Sequence, residues 1–127
     1  MSNPKTAAVI LAAGMGTRMK SDLPKALHPI AGRPMIDHVL AAVAPLGPSE
    51  RVVVVGPDMD ILSDAVAPCP AVVQQERLGT ADAVKAARDT LAGFVDGTVY
   101  VLYGDTPLIA TDTLKNMAAA REVGAAV

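Results

Sequence analysis

The sequence predicts one α/β unit built on a doubly wound, mostly parallel, Rossmann-like sheet. Three observations carry this. Short apolar runs rich in β-branched residues, at 7–12, 51–55, 71–74 and 98–102, alternate with segments of helical length. The second run contains four consecutive valines, Val52 to Val55, a pattern that fits a strand buried on both faces. The first run ends in a glycine-rich loop, and ligands of open α/β sheets bind outside the carboxyl ends of strands.

Taken in order, Ala7–Ala12 is the first strand, apolar throughout. The connection to Ile30 is long and contains Pro24 and Pro29; long connections in compact domains are usually functional. Gly32-Arg33-Pro34 opens a helix, with Pro34 suited to its first turn. Ile36, Val39, Leu40 and Val43 give that helix one apolar face, and it stops before Pro45. Gly47-Pro48 is a turn, and Arg51–Val55 is strand two. Asp58 is placed to cap a helix over Met59–Ala67, ended by Pro68. Ala71–Gln74 is a short third strand. Thr80 is placed to cap a helix over Ala81–Leu91, with Val84, Ala87 and Leu91 inward and Asp82 favourably near its positive end. Gly93 and Gly97 bracket a turn, Thr98–Leu102 is strand four, and a last helix runs from about Asp112 to Val123, with Gly124 as its terminator. Gly124-Ala125-Ala126-Val127 then reads as the start of a fifth strand, cut off.

Composition narrows the class. A chain of 127 residues makes one domain at most, and 51% hydrophobic content makes it globular. Aromatics are only 2%, so the core falls to Val, Ile, Leu, Ala and Met. A net charge of −2 gives no bulk attraction to nucleic acid. Residues 1–33 are nonetheless basic: Lys5, Arg18, Lys20, Lys25 and Arg33 face Asp22 alone. Cys69, between Pro68 and Pro70, is the single cysteine, which excludes an internal disulfide and suits a reducing cytoplasm. The apolar run at 7–13 is too short for a membrane span, and the Gly-Met-Gly-Thr-Arg-Met that follows is no signal-cleavage site.

The chemistry gathers after the first strand. Gly14 and Gly16 allow a sharp turn with bare N–H groups presented to an anion, while Arg18 and Lys25 supply positive charge. This is the pattern of a phosphate cradle. It is not the dinucleotide fingerprint, whose third glycine would fall at Met19. It is not the triphosphate P-loop either, because Gly14 to Ser21 again has Met19 where glycine is required.

Leu11-x-x-Gly14-x-Gly16-Thr17-Arg18-Met19, followed by Pro24-Lys25, resembles the sugar-nucleotidyltransferase signature. Ser21 to Lys25 and Leu27-His28 are most similar to the uridylyltransferase branch that acts on N-acetylglucosamine 1-phosphate. The resemblance runs over essentially the whole chain. It implies a Rossmann-like nucleotidyltransferase fold with strand order 3-2-1-4, and so a switch point between strands one and four. The loop after strand four, Tyr103-Gly104-Asp105, would face the glycine cradle across that crevice.

The resemblance also implies roles. Arg18 contacts the leaving pyrophosphate, and Lys25 stabilises charge at the α-phosphate. Leu11, Ala12, Ala13 and Gly14 meet the uridine through backbone groups; Gln74, Gly79 and Thr80 hold uracil; Tyr103 and Gly104 line the same pocket. An amide both donates and accepts, so Gln74 can read a base edge, with Gln75 as a rival. This chain has Asp82 where the branch often has histidine; other sugar nucleotidyltransferases share its Gly-Thr-Ala-Asp-Ala. Taken alone, Asp105 reads as a cap for the Thr106-Pro107 bend; opposite the cradle it reads as a Mg2+ ligand, as the matching residue of the family is. Lys20 is solvated, and His28 and His38, with no nucleophile near either, are structural or surface residues.

The implied reaction transfers a uridylyl group from UTP to N-acetylglucosamine 1-phosphate, giving UDP-N-acetylglucosamine, a cell-wall precursor, and pyrophosphate. The implied chain is the nucleotide-binding part of a longer, cytoplasmic domain, whose parent also carries an acetyltransferase domain and trimerises through it. Two alternatives stay open. One is a nucleotidyltransferase directed at another sugar phosphate or at a cofactor. The other is a non-catalytic nucleotide-binding or assembly module.

Overall fold

The computed structural model describes residues 6–13, 24–57, 59–67, 69–74, 80–88, 90–91, 97–106 and 110–122. Among them the element order is β1 (Thr6–Leu11), a 3-10 turn (Lys25–Leu27), β2 (Pro29–Ile30), β3 (Arg33–Pro34), α1 (Met35–Val43), a 3-10 turn (Ala44–Leu46), β4 (Glu50–Val55), α2 (Asp60–Val66), β5 (Ala71–Val73), α3 (Thr80–Ala86), β6 (Thr98–Tyr103) and α4 (Thr111–Glu122). The main sheet has the order β5-β4-β1-β6, and every pair in it is parallel. That is the 3-2-1-4 arrangement, with β1 at its centre, flanked by β4 and β6.

Alternate residues of β1 serve two cores. Ala8 and Ile10 pack with Ile36, Val39 and Val43 of α1, Leu62 and Val66 of α2, and Leu114 of α4. Val9 and Leu11 point the other way, with Val52 and Val54, against Ala83 of α3 and Ala87. This explains the unbroken apolar character of β1 and β4: with helices over both faces, neither parity of a strand meets water. The α3 layer is the thinner one. Val99, Val101 and Tyr103 of β6 share that face of the sheet and stay exposed, while Tyr100 and Leu102 beneath are buried.

The elements differ from the sequence expectation in three places. Helix α1 starts at Met35; the end of the long connection and Gly32-Arg33-Pro34, read as the opening of a helix, form a hairpin instead, in which β2 pairs antiparallel with β3. Its two linking residues, Ala31 and Gly32, both have positive φ, +52° and +79°, the signature of a type I′ turn. The third helix starts at Thr80 and ends at Ala86, continuing only as turns such as Arg88 N–H to the Lys85 carbonyl and Leu91 N–H to the Arg88 carbonyl. Thr80 is therefore the first helical residue rather than a preceding cap. Helix α2 begins after Met59 with no side-chain cap; Asp58 lies outside the described residues, as do Gly93 and Gly124.

Two long-range bonds tie the α4 layer down. The Tyr100 hydroxyl donates to the Leu114 carbonyl at 2.7 Å, and the Thr111 hydroxyl donates to the Ala42 carbonyl at 2.7 Å.

Candidate functional site

The carboxyl ends of the parallel strands define one edge of the sheet. Ala12 and Ala13 follow β1, Gly56 follows β4, Gln74 follows β5 and Gly104-Asp105 follows β6. Backbone bonds knit these ends together. The Ala12 N–H donates to the Val54 carbonyl at 2.8 Å, the Gly104 N–H to the Leu11 carbonyl at 2.9 Å, and the Gln74 N–H to the Val55 carbonyl at 2.8 Å.

The charged centre of this edge is an ion pair between Lys25 and Asp105, with Nζ 2.9 Å from Oδ2. Each partner is placed by its own element. Pro24 leads into the 3-10 turn at Lys25, whose next residues, Ala26 and Leu27, are buried. The turn is thus anchored by two apolar side chains while Lys25 projects. On the other side, Gly104 is what lets the end of β6 approach. A Cβ there would lie 3.2 Å from the Ala12 Cβ, 3.4 Å from the Ala26 Cβ and 3.5 Å from Ile36 Cδ1. The absent side chain brings strand end and turn into contact, and Asp105 thereby meets Lys25.

At the bend that follows, the Thr106 hydroxyl donates to the Tyr103 carbonyl at 2.7 Å. With side chains 46% and 31% exposed, the Lys25–Asp105 pair adds little to stability, on the order of 0.2–1 kcal/mol. What it contributes is placement: a cation and a carboxylate side by side at the switch point between β1 and β6.

Gln74 is the one buried polar side chain among the described residues, 5% exposed. Its Nε2 donates to Asp82 Oδ2 at 3.0 Å, joining the end of β5 to the first turn of α3. From sequence, Asp82 was legible only as a charge suited to a helix start; a bond across a loop has no local signature.

Leu11, Ala12 and Ala13 are buried, so their backbone is what borders the edge. The Leu11 carbonyl and the Ala12 N–H are already engaged within the sheet. Tyr103 is half exposed on the uncovered face of β6. Gly56, which sequence reading passed over, lies beside the residues that follow β1: a Cβ there would be 3.3 Å from the Ala13 carbonyl oxygen, and its N–H meets the Met59 sulfur at 3.2 Å. Gly14, Gly16, Arg18, Lys20, Gln75 and Gly79 lie outside the described residues, and Thr80 is described through its place in α3 alone.

His38 Nε2 donates to the Ile30 carbonyl at 2.8 Å, fastening α1 to the hairpin, which is a structural task. Cys69 is a buried free thiol; burial pushes its pKa above the ordinary 9.0, with the Arg51 charge opposing weakly. No helix among the described residues is long and apolar enough to cross a membrane.

The donor set suits a hard divalent cation held jointly with phosphate. Among the described residues no three His, Cys, Asp or Glu side chains converge. A single oxygen donor, Asp105, already partnered by a cation, fits the magnesium mode of one or two carboxylates with the remainder from phosphates and water.

Comparison with known proteins gives the family and the fold. A family model described as the MobA-like NTP transferase domain matches residues 8–127. The bifunctional protein GlmU of Rhodospirillum rubrum is 63% identical over 117 residues, a span of 92% of this chain and 26% of that protein. Its counterpart in Paramagnetospirillum magneticum is 57% identical over 121 residues, covering 95% of this chain and 27% of that protein. The chain thus spans about a quarter of the length of the curated relatives it matches. Among solved structures, Rv0371c from Mycobacterium tuberculosis H37Rv superposes with a TM-score of 0.72 at 22% identity, over 97% of this chain and 63% of that one. Its manganese complex gives a TM-score of 0.69 at 20% identity, over 94% and 60%. At such identities these structures speak to the fold alone, which is the doubly wound α/β fold described above.

Proposed function

The chain belongs to the MobA-like NTP transferase domain family, and from that premise we propose that it binds UTP at the β1–β6 switch point for uridylyl transfer to N-acetylglucosamine 1-phosphate. The single observation that carries the site is the Lys25–Asp105 pair. A nucleotidyl transfer needs positive charge at the phosphate under attack and a carboxylate for the accompanying cation, and both stand at one edge. The choice of UTP and of the acceptor sugar rests on the resemblance of the Leu11 to Lys25 and Leu27-His28 motifs and on the high identity to bifunctional GlmU proteins.

In this reading the sugar phosphate oxygen attacks the α-phosphorus in line, the bond to the β-phosphate breaks, and pyrophosphate leaves. The attacking oxygen is already anionic, so no general base is asked of the protein. Lys25 binds the α-phosphate and opposes the negative charge that gathers on its oxygens; Arg18 holds the departing pyrophosphate. Gln74 reads the uracil edge, with Gly79 and Thr80 beside it. Backbone groups of Leu11 to Gly14 and Gly16, with Tyr103 and Gly104, border the nucleotide. Asp105 would hold the divalent ion, read as Mg2+. When bound, that ion shares the phosphates' negative charge and polarises their oxygens. Incoming phosphate draws the Lys25 ammonium away from Asp105 and leaves the carboxylate for the ion. A structural neighbour is known as a manganese complex, and a divalent ion at Asp105 is part of this reading. The reaction places the protein among cytoplasmic enzymes making cell-wall precursors, in a parent that assembles as a homotrimer.

Thermal unfolding with UTP, CTP, GTP or ATP, each with and without magnesium, tests the site. A ligand that binds only the folded chain adds RT ln(1 + [L]/Kd), about 2.7 kcal/mol at a hundredfold excess over Kd. A magnesium-dependent rise in melting temperature, largest with UTP and lost in Lys25→Ala and in Asp105→Ala, is the expected result. Equal shifts with all four nucleotides, or shifts that survive both substitutions, would count against it.

A further inference from the structure

Resting on the reading that Gln74 meets the base, we propose that Asp82 is a positioning residue that locks the Gln74 amide in one orientation and so sets the pyrimidine the site accepts. A glutamine amide is nearly symmetric in shape but opposite in chemistry at its two ends. Rotated by half a turn, it exchanges an acceptor for a donor. Left to itself, such a side chain reads uracil, with an acceptor for N3–H and a donor to O4. Flipped, it reads cytosine equally well, with an acceptor for the N4 amino group and a donor to N3. A glutamine therefore discriminates between the two pyrimidines only when something else fixes which end is which.

Asp82 is placed to do this. Its Oδ2 lies 3.0 Å from Gln74 Nε2. A carboxylate accepts hydrogen bonds and donates none, so the amide end that faces it must be the amino group. Turning the amide over would set two oxygens against each other in a buried site, since Gln74 is 5% exposed. Both ends of the contact are held. The Gln74 backbone is pinned by its N–H to the Val55 carbonyl, and Asp82 rides on α3, whose Ala83 and the following Ala87 are packed under the sheet. Asp82 takes one N–H of the amide, and the base contact itself is the reading on which the proposal rests. On the uridylyl reading the locked orientation is the one that meets uracil, and its flipped counterpart would meet cytosine.

Calorimetric titration of the magnesium complexes of UTP and CTP into the wild-type chain, Asp82→Asn and Asp82→Glu tests this. One bidentate base contact discriminates by roughly tenfold or more. The wild type should prefer UTP on that scale. Asp82→Asn, which accepts or donates, should bring the two dissociation constants together, chiefly by tightening CTP; Asp82→Glu, which keeps the carboxylate, should retain the preference. A merely structural Asp82 would weaken both nucleotides alike. Should Asp82→Asn keep the full wild-type preference, the proposal falls and the uridylyl reading stands. If the wild type binds CTP as tightly as UTP, or neither, that reading falls and the proposal with it. Should Asp82→Asn not fold, Asp82→Ser, whose hydroxyl also accepts or donates, takes its place with the same two outcomes. A scalar coupling across the hydrogen bond, from Gln74 Nε2 to the Asp82 carboxyl carbon, supports the lock; a freely flipping amide without it overturns the lock.

Discussion

Ala31 holds the left-handed backbone conformation, at φ +52°, with a Cβ that resists it. An alanine there costs about 1–2 kcal/mol relative to a right-handed residue. Asparagine tolerates this region, and Asn-Gly is the favoured pair for such a turn. Ala31→Asn should therefore stabilise the chain by about 0.5–1 kcal/mol, and a β-branched residue should destabilise it, both read from urea unfolding midpoints. Cys69 gives a second expectation. Because burial raises its pKa in the folded chain, the folded form keeps the thiol proton after the unfolded form has lost it. The stability tied to the neutral thiol is complete below the ordinary value of 9.0 and is lost as pH climbs through the raised folded value. Unfolding midpoints across pH 8 to about 11 for wild type and Cys69→Ala should diverge in that direction, the wild type falling more steeply. At this scale the sequence was only partly readable. Lys25 and Asp105 stood out because a cation and a strand-end carboxylate flank a predicted crevice, and the structure brings them within 2.9 Å. The tie from Asp82 to Gln74 did not stand out, because no local pattern in the seven intervening positions links the two residues.

Among the elements, Gly104 decides how closely β6 and the Lys25 turn can pack. Gly104→Ala would press a methyl group against Ala12 and Ala26, at 3.2 and 3.4 Å before any adjustment. The expected outcome is a loss of roughly 1–3 kcal/mol from overpacking, with Asp105 displaced from Lys25. Chemical denaturation measures the first effect, and weaker magnesium-dependent nucleotide binding the second. The four long strands were legible because two-sided burial writes itself as continuous β-branched runs. The β2–β3 hairpin was not. Each of its strands has two residues, too few for any alternation; Pro29 read as part of the long connection and Pro34 as the first turn of the helix. Likewise the sequence reading of α3 ran past Ala86 because the inward side chains continue the apolar stripe beyond the point where the backbone has passed into turns. Periodicity records which side chains face the core, and is blind to whether the hydrogen-bond ladder beneath them persists.

At the scale of the molecule, α1, α2 and α4 share one face of the sheet and α3 lies on the other, so that all strand ends with chemistry on them open at one edge. That much was legible, since parallel strands joined by helices leave little choice of hand or layer. The central place of β1 also governs how the chain reaches its fold. The strand that begins the sheet pairs only with strands that start at Glu50 and Thr98. Contacts so distant in sequence make folding slow, because loops must close before pairing rewards them. A chain ended before Thr98 should show no cooperative unfolding by circular dichroism, whereas one ended after Glu122 should. During synthesis β1 leaves the ribosome first and waits longest: its apolar residues, Ala7 to Leu11, have no second neighbour until Tyr103 has emerged. Among these four strands β1 thus gains both its neighbours only once β6 has been made, and until then its apolar residues are open to association with other chains.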